Sequence, residues 1–281
     1  MARKKGAQDH VVIRLIRSIL GFLKWCVLTL WSVLRLFFSL LTIGGKKYAE
    51  AQEERKRPGK GPQYEPLAEI ENSSGSVSGF ESMLYSGKSA IGLVVGARGS
   101  GKSALGVKIA ENMRAKTSLP VYAMGFEKKA LPLWITPVQS LGEVKNRSFL
   151  LVDEGGIAFS SRNSMSELNK LLSELLLISR HKDISVLFIT QNSSNIEVNT
   201  LRQVDYLLLK APSLLQLDFE RKKIKEIYEK AKEGFGKHKY VKGLTFVYSD
   251  SFTGFASNSL PSFWSEKLSK SYGEKKPGEA K

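Results

Sequence analysis

The chain has 281 residues, of which 42 % are hydrophobic, so it can bury the core of one ordinary domain with attached segments. It carries 43 Lys and Arg against 27 Asp and Glu, a formal charge of +16 that favours polyanionic partners such as nucleic acid or an anionic membrane face. The single cysteine, Cys26, excludes a disulfide framework and a cysteine-based metal site. His10, His181 and His238 show no metal-ligand spacing.

Residues 11–43 form the first distinct segment, an apolar run without proline. The run is long enough to cross a bilayer, which needs about 20 residues. At roughly 100° per residue, its basic residues and several small or polar ones fall on one stripe that only Leu28 interrupts, and the remaining circumference is mostly apolar. The stripe consists of Arg14, Arg17, Gly21, Lys24, Ser32, Arg35, Ser39 and Thr42.

Three arrangements satisfy this amphipathic pattern. The helix can lie in the membrane interface with its stripe toward lipid phosphates, or span the bilayer with its basic side chains snorkelling or facing neighbouring copies. It can also pack on the protein's own core or on partner subunits. We expect contact with membrane lipids through residues 11–43, peripheral or single-pass, at the cytoplasmic face. A cleavable signal peptide is disfavoured because Lys24 and Arg35 interrupt its apolar region.

Composition predicts four parts of the chain. Residues 1–45 are the membrane-associated helix, and residues 46–80 are a flexible linker, because a charged Pro/Gly-bearing stretch is followed there by a Ser/Gly run. The globular domain is predicted over residues 81–272 and a disordered tail over residues 273–281.

Short apolar runs alternate with helical patterns inside the globular domain. Helices are predicted over Lys102–Lys116 and Met165–Lys182, after the first and third apolar runs. Strands that alternate with helices indicate an α/β fold with a mostly parallel sheet flanked by helices. The predicted strands are Ile91–Val95, Val121–Met124, Phe149–Val152, Val186–Thr190 and Tyr206–Leu209.

The first strand runs directly into a loop that matches the phosphate-binding pattern G-x-x-x-x-G-K-[ST]. Its glycines let the loop fold back so that backbone amides face phosphate oxygens, and the following helix adds its N-terminal dipole. We expect Lys102 to contact the β- and γ-phosphates of ATP, and the Ser103 hydroxyl to bind Mg²⁺. The loop consists of Gly96, Ala97, Arg98, Gly99, Ser100, Gly101, Lys102 and Ser103.

A pair of acids follows the third strand. Asp153 ends an apolar run, the position from which a carboxylate binds Mg²⁺ in phosphate-loop enzymes. Glu154, the next residue, can act as general base on the attacking water. An isolated Asp-Glu after a strand is an ordinary turn, and the upstream phosphate loop is what favours the catalytic interpretation.

The next strand ends at Thr190 and is followed by Gln191 and Asn192. An acid pair followed by a strand that ends in a polar residue resembles the additional-strand catalytic-glutamate class of P-loop ATPases. The resemblance implies that this strand lies between those bearing the phosphate loop and the acids, with Gln191 beside the γ-phosphate as sensor. The alternative is that Gln191 caps the sheet edge.

The Arg-His dipeptide at Arg180 and the Thr-Gln dipeptide at Thr190 flank this strand. Together with the motifs, they resemble the FtsK/HerA superfamily, including its zonular-occludens-toxin-like and viral DNA-packaging branches, over about Ala90 to Lys210. The resemblance implies a RecA-like fold and a homo-oligomeric ring, usually a hexamer, that pumps DNA or drives assembly and export of a virus or conjugative element. The short domain and the leading position of the membrane segment leave the subfamily open.

Rings of this type place an arginine from one subunit against the γ-phosphate bound to its neighbour. Arg180 is the first candidate for this catalytic role, with Arg202 and Arg162 as alternatives. Basic residues after the sheet could contact a nucleic-acid backbone or simply form a solvated helix face. These are Lys222, Lys223, Lys225, Lys237, Lys239 and Lys242.

The leading functional hypothesis is a membrane-associated ATPase that translocates or packages DNA. The second is an assembly or extrusion ATPase that acts on protein partners at the membrane, including viral coat or envelope proteins. The third is a nucleotide-gated membrane scaffold with very slow turnover. A GTPase is disfavoured because the sequence contains no Asn-Lys-x-Asp motif.

Overall fold

The computed structural model describes residues 57–155 and 164–264, together with scattered positions between residues 24 and 55. The chain divides into two units, Met1–Lys56 and Arg57–Lys281. In the first unit the described positions are helical, and their large apolar side chains are exposed. Among the positions that the structure describes, we find no helix with the length and apolar character needed to cross a bilayer. Half of the basic stripe and the whole predicted tail lie outside the described residues.

The second unit is built on a nine-stranded sheet in the order β1-β9-β8-β7-β2-β6-β5-β3-β4. The strands from β7 to β4 in this order run parallel, and β8, β9 and β1 extend the sheet as antiparallel strands. The strands are β1 (Ala68–Gly75), β2 (Ile91–Val95), β3 (Val121–Met124), β4 (Ile135–Pro137), β5 (Ser148–Asp153), β6 (Ile184–Thr190), β7 (Tyr206–Leu209), β8 (Thr245–Ser249) and β9 (Phe252–Ser257).

Helices cover both faces of the sheet, so each face buries its own apolar cluster. The first two helices pack on one face, and the third and sixth pack on the other. Over residues 57–155 and 164–264, the α-helices of at least four residues are α1 (Val77–Leu84), α2 (Lys102–Thr117), α3 (Ser164–Lys182), α4 (Val198–Leu201), α5 (Leu214–Phe219) and α6 (Lys222–Lys237). The predicted α/β class with a mostly parallel sheet and flanking helices is confirmed.

The linker predicted over residues 46–80 is corrected by the structure, because its second half is folded. Residues 68–75 form β1, which pairs antiparallel with β9 at the sheet edge. The Ser/Gly run ends that strand and begins α1, where the Ser76 hydroxyl accepts a hydrogen bond from the Gly79 amide as N-cap. An exposed edge strand and a capped helix start share their polar, small-residue composition with a linker, and this similarity caused the error.

The segment before β1, residues 57–67, is also fixed to the domain. Arg57 is buried and donates to the carbonyls of Leu131, Pro132 and Ile135. Three polar residues of α2, Lys108, Glu111 and Asn112, are almost fully buried beneath this segment. Asn112 accepts from the Glu65 amide at 3.1 Å and donates to the Glu65 carbonyl at 2.7 Å, and Lys108 pairs with Glu111 at 3.1 Å. The polar side of α2 is therefore where this segment attaches.

Candidate functional site

The parallel order of three strands brings the predicted motifs to one edge of the sheet. β6 lies between β2 and β5, with Val95 opposite Thr190 and Ile189 opposite Asp153. All three strands end at this edge, so the phosphate loop after β2 lies beside the acids at the end of β5. The additional strand expected between them is confirmed.

The loop between β2 and α2 adopts backbone conformations that favour glycine. Gly99 has φ +77° and Gly101 has φ +88°, both in the left-handed region. Within the loop the Ser100 amide donates to the Ala97 carbonyl at 3.2 Å. The Ser100 hydroxyl is buried and makes no hydrogen bond within the described structure. A buried polar atom left without a partner is what a phosphate-oxygen site requires before its ligand arrives.

Lys102 is the first residue of α2, and its side chain extends over the same loop. It is 7 % exposed, and its ammonium group donates to the carbonyls of Gly96 at 2.8 Å and Ala97 at 2.9 Å. Burial lowers the pKa of Lys102, while the charges of Asp153 and Glu154 act in the opposite direction. The cation is therefore held where the negative charge of a triphosphate would compensate for its loss of water.

Ser103 and Asp153 meet directly. The Ser103 hydroxyl donates to one carboxylate oxygen of Asp153 at 2.8 Å, and the Gly155 amide donates to the other at 3.0 Å. Burial raises the pKa of Asp153, although the hydrogen bonds from Ser103 and Gly155 and the charge of Lys102 lower it. A hydroxyl and a carboxylate at hydrogen-bond distance fit Mg²⁺, which takes a few protein oxygens and completes its shell with water and phosphate. This arrangement fits a triphosphate bound with Mg²⁺.

Similar solved structures include the types of protein that the motifs resemble. The DNA-packaging ATPase from Sulfolobus Turreted Icosahedral Virus is 13 % identical and aligns over 62 % of this chain and 99 % of its own, with a TM-score of 0.41. The genome-packaging NTPase of Sulfolobus turreted icosahedral virus 2, solved with ATP-gammaS, is 16 % identical over 61 % and 98 % of the two chains, with a TM-score of 0.42.

The N-terminal domain of zonular occludens toxin from Neisseria meningitidis is 19 % identical over 43 % of this chain and 76 % of its own, with a TM-score of 0.30. Both branches that the motifs resemble, the viral packaging ATPases and the zonular-occludens-toxin domain, occur among these similar structures. Protein-family models and curated proteins give no match. Because identities are below 25 % and TM-scores below 0.5, the functional conclusions rest on the site geometry.

Glu154 has a partner that sequence reasoning did not assign. The hydroxyl of Thr190, the last residue of β6, donates to a carboxylate oxygen of Glu154. Thr190 is 1 % exposed. The available signal was position, because a polar residue that ends the inserted strand must lie beside the acids of the adjacent strand.

Gln191 follows Thr190 at this same edge. Its side chain is exposed, and its carbonyl accepts from the Gln216 side chain at 2.9 Å. Gln191 thus lies close to the site because it directly follows Thr190. Its role as sensor stays a prediction.

The candidate arginines lie elsewhere within the chain. Arg180 is exposed in the last turn of α3, just before β6 begins, and Arg202 is the C-cap residue after α4, just before β7 begins. Parallel strands begin at the edge opposite the phosphate loop, so neither arginine joins the site of its own subunit. A role in a neighbouring subunit stays a prediction for Arg180, and Arg162 lies outside the described residues.

The predicted basic surface on α6 is mixed in charge. Lys223 pairs with Glu226 at 3.1 Å within the helix, and Lys237 pairs with Glu71 of β1 at 2.8 Å. Exposed pairs of this type contribute little stability, but they lower the net positive charge offered to a polyanion. The apolar side of the helix packs on the sheet through residues such as Ile224 and Ile227.

Lys210, directly after β7, supports the phosphate loop from the other side. It is 2 % exposed and donates to the carbonyls of Gly243 at 2.8 Å and Leu244 at 3.1 Å. A Cβ atom added to Gly96 would lie 2.6 Å from the Lys210 Cβ, so only glycine permits this approach. Burial lowers the pKa of Lys210 to about 7.

We predict that Lys210→Met removes a pH-dependent part of stability. The folded wild type releases the Lys210 proton near pH 7, whereas the unfolded chain keeps it up to about pH 10. Its free energy of unfolding should therefore rise with pH in this window, by at most about 1.4 kcal/mol per pH unit from this group. Urea unfolding at several pH values in this range measures the difference between the two proteins. If the free energy of unfolding depends on pH in the same way in wild type and Lys210→Met, the prediction is contradicted. Lys230→Met, at an exposed position, is the control.

Proposed function

We propose that this protein is an ATPase that binds ATP with Mg²⁺ through its phosphate loop. The observation that carries the proposal is the hydrogen bond between Ser103 and Asp153, because it joins the two motifs at one point. Glu154 is the adjacent residue, so phosphate-binding, metal-binding and proton-accepting groups occupy the same edge of the sheet. The choice of ATP over GTP is supported by the absence of a guanine-recognition motif from the sequence.

The residues suggest a division of labour in hydrolysis. Lys102 and the loop amides bind the β- and γ-phosphates. Ser103 and Asp153 would hold Mg²⁺, which would neutralise charge on the transferred phosphoryl group. Glu154 orients a water molecule and accepts its proton as the water oxygen attacks the γ-phosphorus. The bond to the bridging oxygen breaks, and ADP and inorganic phosphate are the products.

Two substitutions separate binding from hydrolysis. Lys102→Ala should abolish nucleotide binding, because the phosphates lose their buried cation. Glu154→Gln should bind ATP normally and lower kcat by roughly 10²–10⁴-fold, the usual contribution of a general base. Equilibrium binding of a fluorescent ATP analogue and phosphate release measure the two effects, with Lys230→Ala as an exposed control. Wild-type hydrolysis in Glu154→Gln would reassign the base.

We further propose that hydrolysis drives translocation or packaging of DNA by a homo-oligomeric ring, hexameric in the superfamily that the chain resembles. The charge of +16 supports a polyanionic substrate. A specific observation favours the alternative, a ring that acts on coat or envelope proteins. The helix α5 exposes Leu214, Leu215 and Phe219, each more than two-thirds exposed, and such a surface suits a protein partner.

DNA stimulation of turnover distinguishes these two substrates. If the protein translocates DNA, double-stranded DNA should raise the ATPase rate of the assembled ring, and the effect should weaken as salt increases because phosphate contacts release counterions. Steady-state hydrolysis over a salt series, with and without DNA, tests this expectation. A rate that ignores DNA at every salt concentration would favour the protein-partner alternative.

We also propose that the first unit binds the cytoplasmic face of a membrane. Its described positions include Trp25 at 62 % exposure, Trp31 at 67 % and Phe38 at 62 %, on a segment that carries Lys24 and Arg35. Aromatic side chains beside basic residues on a helix suit the interface between headgroups and acyl chains. The interfacial arrangement is favoured over spanning because a helix lying flat requires no charge asymmetry between its ends.

Vesicle binding tests this membrane proposal. The full chain should co-sediment with vesicles that contain anionic phosphatidylserine more strongly than with neutral phosphatidylcholine vesicles, and added salt should reduce the difference. Trp25→Ser combined with Trp31→Ser should weaken binding to both, since less apolar surface enters the interface. If the wild type and this variant appear in the pellet in equal amounts, and vesicles do not raise the amount of either, the proposal is contradicted.

A further inference from the structure

The side chain of Thr190 connects the inserted strand to the acid pair. Its hydroxyl donates to Glu154 and accepts from the Asn192 amide at 3.1 Å. The Asn192 carbonyl, 3.0 Å from the same oxygen, is the competing acceptor. A hydroxyl has one proton, and a charged carboxylate is the stronger acceptor. Thr190 is therefore a fixed donor toward Glu154, on a strand held on both sides by neighbouring strands.

The loop that follows Thr190 is held by the junction between α5 and α6. Glu220 is 5 % exposed and accepts from the amide, at 2.9 Å, and from the hydroxyl of Ser193. The Arg221 guanidinium donates to the Ser193 carbonyl at 3.1 Å and to the Ile196 carbonyl. Glu220 and Arg221 thus fix Ser193 and Ile196 in the short loop that also supplies the Asn192 amide.

A glutamate side chain has several rotatable bonds, so its carboxylate needs an external contact to keep one orientation. General-base catalysis depends on that orientation, because proton transfer requires hydrogen-bond geometry with the attacking water. Thr190 supplies such a contact from a buried position. Its hydroxyl makes its hydrogen bonds to Glu154 and Asn192, so the effect should fall on turnover rather than on ATP affinity.

We propose that Thr190 is a positioning residue for Glu154 and that Glu220 and Arg221 set the position of Thr190. This inference rests on the proposed ATPase function. The hydroxyl restrains one carboxylate oxygen of Glu154, so the group is presented to the attacking water in a constant orientation. The α5–α6 junction, although it follows the sheet in sequence, belongs to the hydrolytic machinery through this connection.

Substitutions of Thr190 that separate shape from hydrogen bonding test the inference on the full chain. Thr190→Val keeps the size and the β-branched shape but removes the donor. Its kcat should fall about 10-fold or more, with the KM for ATP unchanged within about twofold, because transition-state positioning is lost while binding is kept. Thr190→Ser should restore most of the rate. The matched control is Thr253→Val, since Thr253 also lies in a strand of the sheet and its hydroxyl donates to the Ser249 carbonyl at the edge opposite the site.

A second measurement excludes a merely structural effect. In the Glu154→Gln background, Thr190→Val should lower the residual single-turnover rate much less than in the wild type, because the contact acts through the carboxylate. A Thr190→Val enzyme with wild-type kcat overturns the proposal, as does a loss that Thr190→Ser fails to restore. A wild-type protein without ATPase activity would instead overturn the proposed function.

Arg221→Met provides an independent test of the proposal if Thr190→Val does not fold. It should lower kcat with unchanged KM, and its effect should not add to that of Thr190→Val where both can be combined. Exposed Lys230→Met, on the same helix α6, should leave both constants unchanged. An Arg221→Met enzyme with wild-type kcat overturns the proposal.

Discussion

The register of three parallel strands determines the rest of the site. Because β6 is inserted between β2 and β5, the phosphate loop, the inserted strand's last residue and the acid pair all end at the same edge. The hydrogen bond from Ser103 to Asp153 is the direct consequence. A shift of β5 by one residue would turn Asp153 to the other face of the sheet and separate it from Ser103.

The electrostatics of the site follow from burial. Lys102 and Asp153 each lose water on folding, and burial disfavours the charged form of both, as the lowered pKa of the lysine and the raised pKa of the acid show. Each partly compensates the other across the loop. The ammonium group also contacts loop carbonyls, which a triphosphate can replace with stronger, charged acceptors. The site geometry is thus better suited to a bound polyanion than to an empty site.

Much of this could be predicted from local sequence. The strands Ile91–Val95, Val121–Met124 and Tyr206–Leu209 match the structure, because continuous apolar runs identify buried parallel strands. The phosphate loop could be located because its glycines and lysine occur at a fixed spacing. Residues 57–80 could not be assigned, since their attachment depends on partners distant in sequence, such as Asn112 and the edge of β9. The predicted strand order placed Thr190 beside the acids, but the hydrogen bond itself joins the end of β6 to the residue after β5 and has no local sequence signal.

The attachment of residues 57–67 has a practical consequence for dividing the chain. A boundary drawn from composition near residue 80 would delete β1 and half of α1 and would uncover Lys108, Glu111 and Asn112 on the helix that follows the phosphate loop. The deletion would therefore disturb the helix that carries Lys102 and Ser103, although the deleted residues are not part of the candidate nucleotide site. A boundary just before Arg57 coincides with the division between the two units and keeps those side chains covered. The second unit, isolated for biophysical study, should therefore begin there.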